Sequence, residues 1–325
     1  MLEILGLTHK YPDKITTRDI LTVNPNDNNE QEKEHISISD IPWLVLRRLI
    51  CSNSECRDIT APNESIFDGI FQSDNAVSFI SLQHDDKHDV SPLDIFFIIF
   101  QCCDPFLKQM CVQKLYLCKL AVPFMFTFCE PMKKQRSVLS VWPLRSLEIE
   151  NRQIDKTDEQ WQQNNILDLP TNMIAFGRLG RPRYSKSKLI NSILSNEGCK
   201  TFFNIDCPSG MTQKFISNGH IEMFWLPTNG DKKDRFQEAM TFINLRGDME
   251  QHFDKDIVKF IANFVDAVIL IIDVDTILEK RKFVEDMLKN LPSVILIFAN
   301  PLTQDTFKII QSFQNDVLLC NPEIH

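Results

Sequence analysis

The chain has 325 residues, 43% hydrophobic and 24% charged, with a formal net charge of −9. That length suits about two domains and that composition a globular protein. The acidic balance argues against a broad nucleic-acid-binding surface, which is normally basic.

The amino terminus, "MLEILGLTHKYPDK", lacks the basic region and long apolar stretch of a signal peptide. Residues 1–150 read as a mainly α-helical domain. Ser39–Asp40 with Pro42 opens "IPWLVLRRLI", because a proline in the first helical turn forfeits no hydrogen bond. The stretch "NPNDNNEQEKEH" before it is a polar loop. In "HDDKHD", His84, Asp86 and His88 could be imagined around a metal ion, but a polar loop without supporting ligands holds no fixed coordination shell. Ser91-Pro92-Leu93-Asp94 is a stronger helix start, with Asp94 in the position of a capping-box acid. The "IFFIIFQCC" that follows is apolar on nearly every side and predicts a central helix. Asp104–Pro105 starts another helix, on which Leu107, Cys111, Leu115 and Cys118 form one apolar stripe.

The most apolar windows, "LDIFFIIFQCC" and "LAVPFMFTF", are too short to span a bilayer. The ten cysteines form no paired CxxC knuckles and read as buried free thiols. A reducing location follows, cytoplasmic or nuclear. Lys133-Lys134-Gln135-Arg136 reads as a solvated turn in preference to a docking or import signal.

A polar stretch, "NRQIDKTDEQWQQNN", begins a linker placed at 151–168. Beyond it, over 169–325, strand and helix alternate. "NMIAFG" is strand-like and "SKSKLINSIL" helix-like; "HIEMFWL" and "AMTFINL" are two strands; "DKDIVKFIANF" is an amphipathic helix. "DAVILIID" and "SVILIFAN" are fully apolar strands on either side of a helix, "TILEKRKFVEDMLKNL". Such strands belong to a sheet covered on both faces, and the order is that of an α/β domain with a mainly parallel sheet.

The connection between the first strand and helix, "GRPRYSKS", is one residue away from a phosphate-binding G-x-x-x-x-G-K-[ST] loop: Ser185 replaces the second glycine. Amide groups at a helix start favour phosphate oxygens. Lys186 would bridge terminal phosphates and Ser187 would give its hydroxyl to Mg2+. After the third strand, Asn244-Leu245-Arg246-Gly247 keeps the glycine of a GTPase D-x-x-G but has an amide for the acid, with Asp248 one residue on. Thr212, in "CPSGMTQKF", is a candidate switch threonine for Mg2+, or a plain loop residue. In Ala299-Asn300-Pro301-Leu302-Thr303, Asn300 fits a guanine-reading N-K-x-D, while the lysine and aspartate are missing. Arg181 and Arg183 are placed to approach phosphates, but no water-orienting glutamine is evident.

"GRLGRPRYSKSKLIN", "ISNGHIEMFWLP" and "FINLRGD" together resemble the G domain of the interferon-induced very large GTPase and up-regulator of cell proliferation family. "LEILGLTHKYPDKITTRDIL", "SPLDIFFIIFQCCDPFLKQ" and "WPLRSLEI" resemble the region preceding that G domain. The resemblance implies a P-loop GTPase-like α/β domain at 169–325, ending soon after the fifth expected strand and so incomplete, behind the helical domain. It implies GTP and Mg2+ as ligands, with Gly180, Ser185, Lys186, Ser187, Gly247 and Asn300 on the nucleotide and Ser187 and Thr212 on the metal. The implied function is a nucleotide-dependent switch or scaffold with slow or no hydrolysis, partnered by a guanine nucleotide and by further copies or other proteins. The alternative is a non-enzymatic interaction protein on a degenerate G-domain scaffold. ATP in place of GTP stays open.

Overall fold

The computed structural model describes residues 1–21, 37–58, 90–128, 136–151, 162–195, 200–231, 234–298, 308 and 317–320. In chain order these form helices α1 (Thr17–Leu21), α2 (Ile41–Ile50), α3 (Pro92–Cys102) and α4 (Pro105–Leu117), then strands β1 (Val122–Phe128), β2 (Arg136–Leu139), β3 (Glu148–Asn151), β4 (Gln162–Asn165) and β5 (Asn172–Leu179). There follow α5 (Lys186–Leu194), β6 (Ile221–Leu226), β7 (Met240–Leu245), α6 (Met249–His252), α7 (Lys255–Phe264) and β8 (Ala267–Ile272). The last are α8 (Val274–Glu279), α9 (Arg281–Leu288), β9 (Ser293–Phe298) and β10 (Val317–Cys320).

One eight-stranded sheet runs in the order β10-β9-β8-β5-β7-β6-β1-β2. Its centre is parallel: β5 pairs in parallel with β7 and β8, and β9 lies between β8 and β10 in the same sense. On the other flank β6 is antiparallel to β7, and β1 is antiparallel to both β6 and β2. The sheet is therefore mixed but mostly parallel, with helices packed on it, as an α/β fold requires.

Two expectations need correction. The first 150 residues, expected as a mainly α-helical domain, do not stand apart as a helical unit, because β1 and β2 extend the main sheet. Their sequence permits this: Val122, Phe124 and Phe126 alternate along a strand rich in aromatic and β-branched residues. Pro123 is accommodated by a register shift between Pro123 and Met125, where a missing N–H breaks no ladder. The sheet also does not stop at the fifth expected strand: β10 pairs in parallel with β9, Val317 opposite Val294. Within the segment expected to be a linker, Gln162–Asn165 pairs antiparallel with Glu148–Asn151.

The helices follow their local signals with two exceptions. Asp104 caps α4 by accepting from Leu107 N at 2.7 Å, and Asp254 caps α7 from Ile257 N at 2.8 Å. Every residue of α3 is buried, as its all-round apolar sequence demands. The helix expected over 276–291 is instead two, broken at Lys280, whose N–H closes α8 on Thr276 O. The second exception, the start of α3, concerns the site.

Two apolar layers cover the sheet. On one face α5 packs Ile190 against Phe176, Phe224 and Phe242. On the other, Ala175, Met223, Ile243 and Val268 share one cluster with Leu46, Phe100 and Leu107 of the N-terminal helices and Ile261 of α7. Because β5 is flanked by β7 on one side and β8 on the other, chain order reverses beside its carboxyl end. In open α/β sheets that reversal opens the crevice where ligands bind, and the loop 180–185 leaves the sheet there.

Candidate functional site

Gly180 ends β5 with φ +73°, a left-handed conformation, and a β-carbon there would collide with the side chains of Asp273 and Thr276. The main-chain N–H of Gly180 donates to Asp248 Oδ2 at 2.6 Å, and that of Arg181 to Asp273 Oδ2 at 2.9 Å. The first amides of the loop thus hold carboxylate oxygens, the chain's own anions. Ser185 caps α5, its Oγ accepting from Lys188 N at 3.4 Å. Lys186 and Ser187 open that helix and are both buried. The side chains of Arg181 and Arg183 are exposed.

Lys186 does not extend over the loop. Its Nζ donates to Leu245 O, the last carbonyl of β7, and at 3.4 Å to Gly247 O just beyond it. Burial, then the neighbouring guanidinium groups of Arg178 and Arg246, hold its pKa well below the ordinary lysine range. Lys214 is lowered in the same way, by burial first and then by Arg246. Arg178 and Arg246 thus act on both Lys186 and Lys214, opposed by Asp248 and Glu222 at Lys186 and by Asp94 at Lys214.

The segment after β7 completes the crevice. Gly247 adopts φ +86° and turns the chain into α6. Asp248 caps α6 with Oδ1, accepting from Glu250 N and Gln251 N, while Oδ2 holds Gly180 N. Asn244, where a GTPase would carry its acid, is fully buried. Its Nδ2 lies 3.2 Å from Ser187 Oγ and 3.3 Å from Glu222 Oε2. Arg246 Nε donates to the same Oε2 at 2.7 Å and its NH2 to Phe203 O at 2.9 Å. Asn244 Oδ1, Glu222 Oε1 and Arg178 Nε are buried without a hydrogen-bond partner among the described residues.

The structure thus brings Gly180, Lys186, Ser187 and Gly247 together, with Ser185 at the helix cap. Thr212 makes its hydrogen bonds within its own loop: its N donates to Ser209 O and its O accepts from Lys214 Nζ. Asn300 lies outside the described residues, as do the stretches "NPNDNNEQEKEH" and "HDDKHD" and Lys133–Gln135.

Asp94 overturns its expected capping role. Its carboxylate accepts from Phe215 N at 2.7 Å and Ser217 N at 2.8 Å, tying α3 to the loop that precedes β6. Nearby, His220 lies against the Phe97 ring at 4.4 Å. The loop before β6 is thereby anchored on the N-terminal region.

Comparison with known proteins settles what this arrangement belongs to. The family model described as the up-regulator of cell proliferation-like domain matches residues 90–323, and its N-terminal companion matches 1–70. The chain belongs to the up-regulator of cell proliferation-like family. Interferon-induced very large GTPase 1 of Homo sapiens is 26% identical over 281 residues, covering 78% of this chain and 11% of its own length. Up-regulator of cell proliferation of Mus musculus is 27% identical over 310 residues, covering 84% of this chain and 31% of its own. Human caspase recruitment domain-containing protein 6 is 25% identical over 227 residues, 66% of this chain and 21% of its own length. The chain thus spans a third or less of these relatives.

Arg178, Glu222, Arg246 and Asp273, which no sequence motif marks, also stand at this crevice. Glu222 carried a signal, being a single acid inside the apolar run "HIEMFWL", and a charge in such a strand needs a buried partner. Among the described residues no group of three or more His, Cys, Asp or Glu could hold a metal ion, and no helix is long and apolar enough to cross a membrane. Cys56, Cys102, Cys103, Cys111 and Cys207 are buried free thiols. Burial pushes Cys56 and Cys102 up to about 12, which leaves them inert.

Proposed function

We propose that this chain binds the polyphosphate of a nucleoside triphosphate, GTP by family expectation, in the crevice at the carboxyl end of β5. One observation carries the reading: the amides of Gly180 and Arg181 already engage carboxylate oxygens, those of Asp248 and Asp273, beside the buried Lys186 at the start of α5. Phosphate oxygens would displace those carboxylates, and their negative charge would raise the Lys186 pKa that burial depresses. A magnesium ion would neutralise part of the phosphate charge. The residues fit such a group, because Ser187 Oγ adjoins Asn244, whose Oδ1 is buried and unpartnered.

Displacing internal carboxylates costs free energy, so binding is modest and conditional. Hydrolysis is slow or absent. Asp248, which follows Gly247, accepts from the amides of Gly180, Glu250 and Gln251, and those bonds compete with any part in positioning a water. The role is a nucleotide-dependent switch or scaffold in the cytoplasm or nucleus, in which ligand entry reorganises Asp248, Asp273 and the segments they hold.

A second reading rests on a specific contact. Lys186 Nζ is satisfied by Leu245 O and Gly247 O, as expected of a degenerate scaffold that binds no nucleotide. The two readings part in one experiment, fluorescent GTP binding and thermal shift on the full chain and Lys186→Ala. Binding predicts stabilisation by millimolar GTP with Mg2+, about 2.7 kcal/mol where ligand exceeds Kd a hundredfold, and its loss in the variant. No shift in the unaltered chain would establish the scaffold reading.

A further inference from the structure

The acid expected on β7 is the amide Asn244, so the crevice lacks a carboxylate from that strand. We propose that the strand beside it supplies one: Glu222 of β6 is the acidic ligand of a divalent-cation site that Ser187 and Asn244 complete. The inference rests on the nucleotide reading above and deepens it.

Register places the groups. Glu222 and Asn244 are directly opposed in the antiparallel β6–β7 pair, and opposed residues project from the same face of a sheet. Both side chains are fully buried. The Asn244 amide nitrogen lies between Ser187 Oγ and Glu222 Oε2, at 3.2 and 3.3 Å, so the three side chains converge. That use of the nitrogen leaves Asn244 Oδ1 as a free acceptor, and Oδ1 has no partner among the described residues.

Glu222 keeps a free oxygen for a specific reason. Arginine commonly grips a carboxylate with two parallel N–H groups, using both oxygens. Arg246 does not: Nε takes Oε2, while NH2 turns to Phe203 O. Oε1 remains buried without a partner, a state that buried polar atoms rarely keep unless something else satisfies them. A carboxylate needed only to hold Arg246 would gain by accepting the second N–H.

The donors also select the ion. A hydroxyl, an amide oxygen and a carboxylate oxygen are hard ligands, with no sulfur or imidazole among them. Magnesium is held by one or two carboxylates together with substrate phosphates, and not by a full protein cage. One acid, two neutral oxygens and a polyphosphate on the neighbouring loop meet that requirement. In this site the negative charge has moved one strand across the sheet, from β7 to β6.

The test uses the full chain with a fluorescent GTP analogue, titrated in Mg2+ and in EDTA, and with Mn2+ followed by electron paramagnetic resonance. In the unaltered chain, Mg2+ should tighten analogue binding at least tenfold and Mn2+ should bind with the nucleotide. Glu222→Gln should bring that ratio close to one and weaken Mn2+ binding at least tenfold. The double variant Glu222→Gln/Asn244→Asp returns a carboxylate to β7 and should recover most of both. It also serves if the single variant fails to fold. Loss of the Arg246 pair alone would alter stability but would leave the ratio unchanged, and an unchanged ratio in folded Glu222→Gln would overturn the inference. A folded double variant that binds the analogue without any Mg2+ effect would do the same. Failure of the unaltered chain to bind the analogue in either condition would instead overturn the nucleotide reading beneath it.

Discussion

His220 connects one titration to the stability of the fold. It is buried at the start of β6 against Phe97, with ring nitrogens 3.4 Å from Gln101 Nε2 and Asn218 O. Burial lowers its pKa from 6.5 to about 4. Between those values the unfolded chain binds the proton and the native chain does not, so stability rises with pH there and falls on acidification from about 6.5 towards 4. A difference of that size corresponds to at most about 3 kcal/mol. His220→Gln should remove this component: the gap in urea-unfolding free energy between the two proteins should shift by about that much between pH 7 and 4. Identical pH profiles would refute the assignment. At the same scale, the placement of Gly180, Lys186 and Ser187 on one strand–loop–helix unit was legible in the sequence because that spacing is local, whereas Gly247 meets Lys186 from beyond the end of β7. The pairing of Glu222 with Asn244 was not legible, since it exists only across a strand pair 22 residues apart.

Among the elements, α3 departs most from its local signals. Ser-Pro-Leu-Asp is a good helix start, yet Ser91 makes no side-chain cap and Asp94 reaches out to the amides of Phe215 and Ser217. A carboxylate that accepts two amide bonds is worth more in that role than in capping its own turn, because bonds to charged groups contribute about 1.5–3 kcal/mol each. It also fixes a loop that otherwise has few apolar anchors, Met211 and Phe215 being exposed. Asp94→Asn leaves a single side-chain oxygen to accept and should cost about 2–4 kcal/mol. Amide hydrogen exchange should accelerate at Phe215 and Ser217 while the α3 amides stay protected. Unchanged exchange at those two amides would remove the proposed tie. The break at Lys280 was equally hidden: "TILEKRKFVEDMLKNL" has no proline or glycine to mark it, and Asp273, which caps α8 through Thr276 N at 2.7 Å, also answers to Arg181 across the crevice.

For the whole molecule the decisive feature is the union of the two halves. β1 and β2 cover the β6 side of the sheet, and one apolar cluster runs from Leu46 and Phe100 through Ala175 and Val268 to Val284 and Leu296. A chain beginning at residue 162 would expose the edge of β6 and the apolar face that the N-terminal helices cover. Such edges pair with other chains. It should aggregate or unfold without cooperativity, whereas 1–325 should show a single calorimetric transition with equal van't Hoff and calorimetric enthalpies. Two separate transitions in the full chain would mean that the halves fold independently.

Alternation and helical periodicity were enough to identify β5 to β9, α5, α7 and the loop between β5 and α5, because those signals come from neighbours in sequence. Family resemblance read from short motifs was sound for the same reason. The attachment of β1 and β2, the splitting of one helix into α8 and α9, and the partners of Asp94, Lys186 and Glu222 were settled by contacts between distant segments. Buried charge takes whatever donor or acceptor the assembled sheet presents, and that choice leaves no periodic trace along the chain.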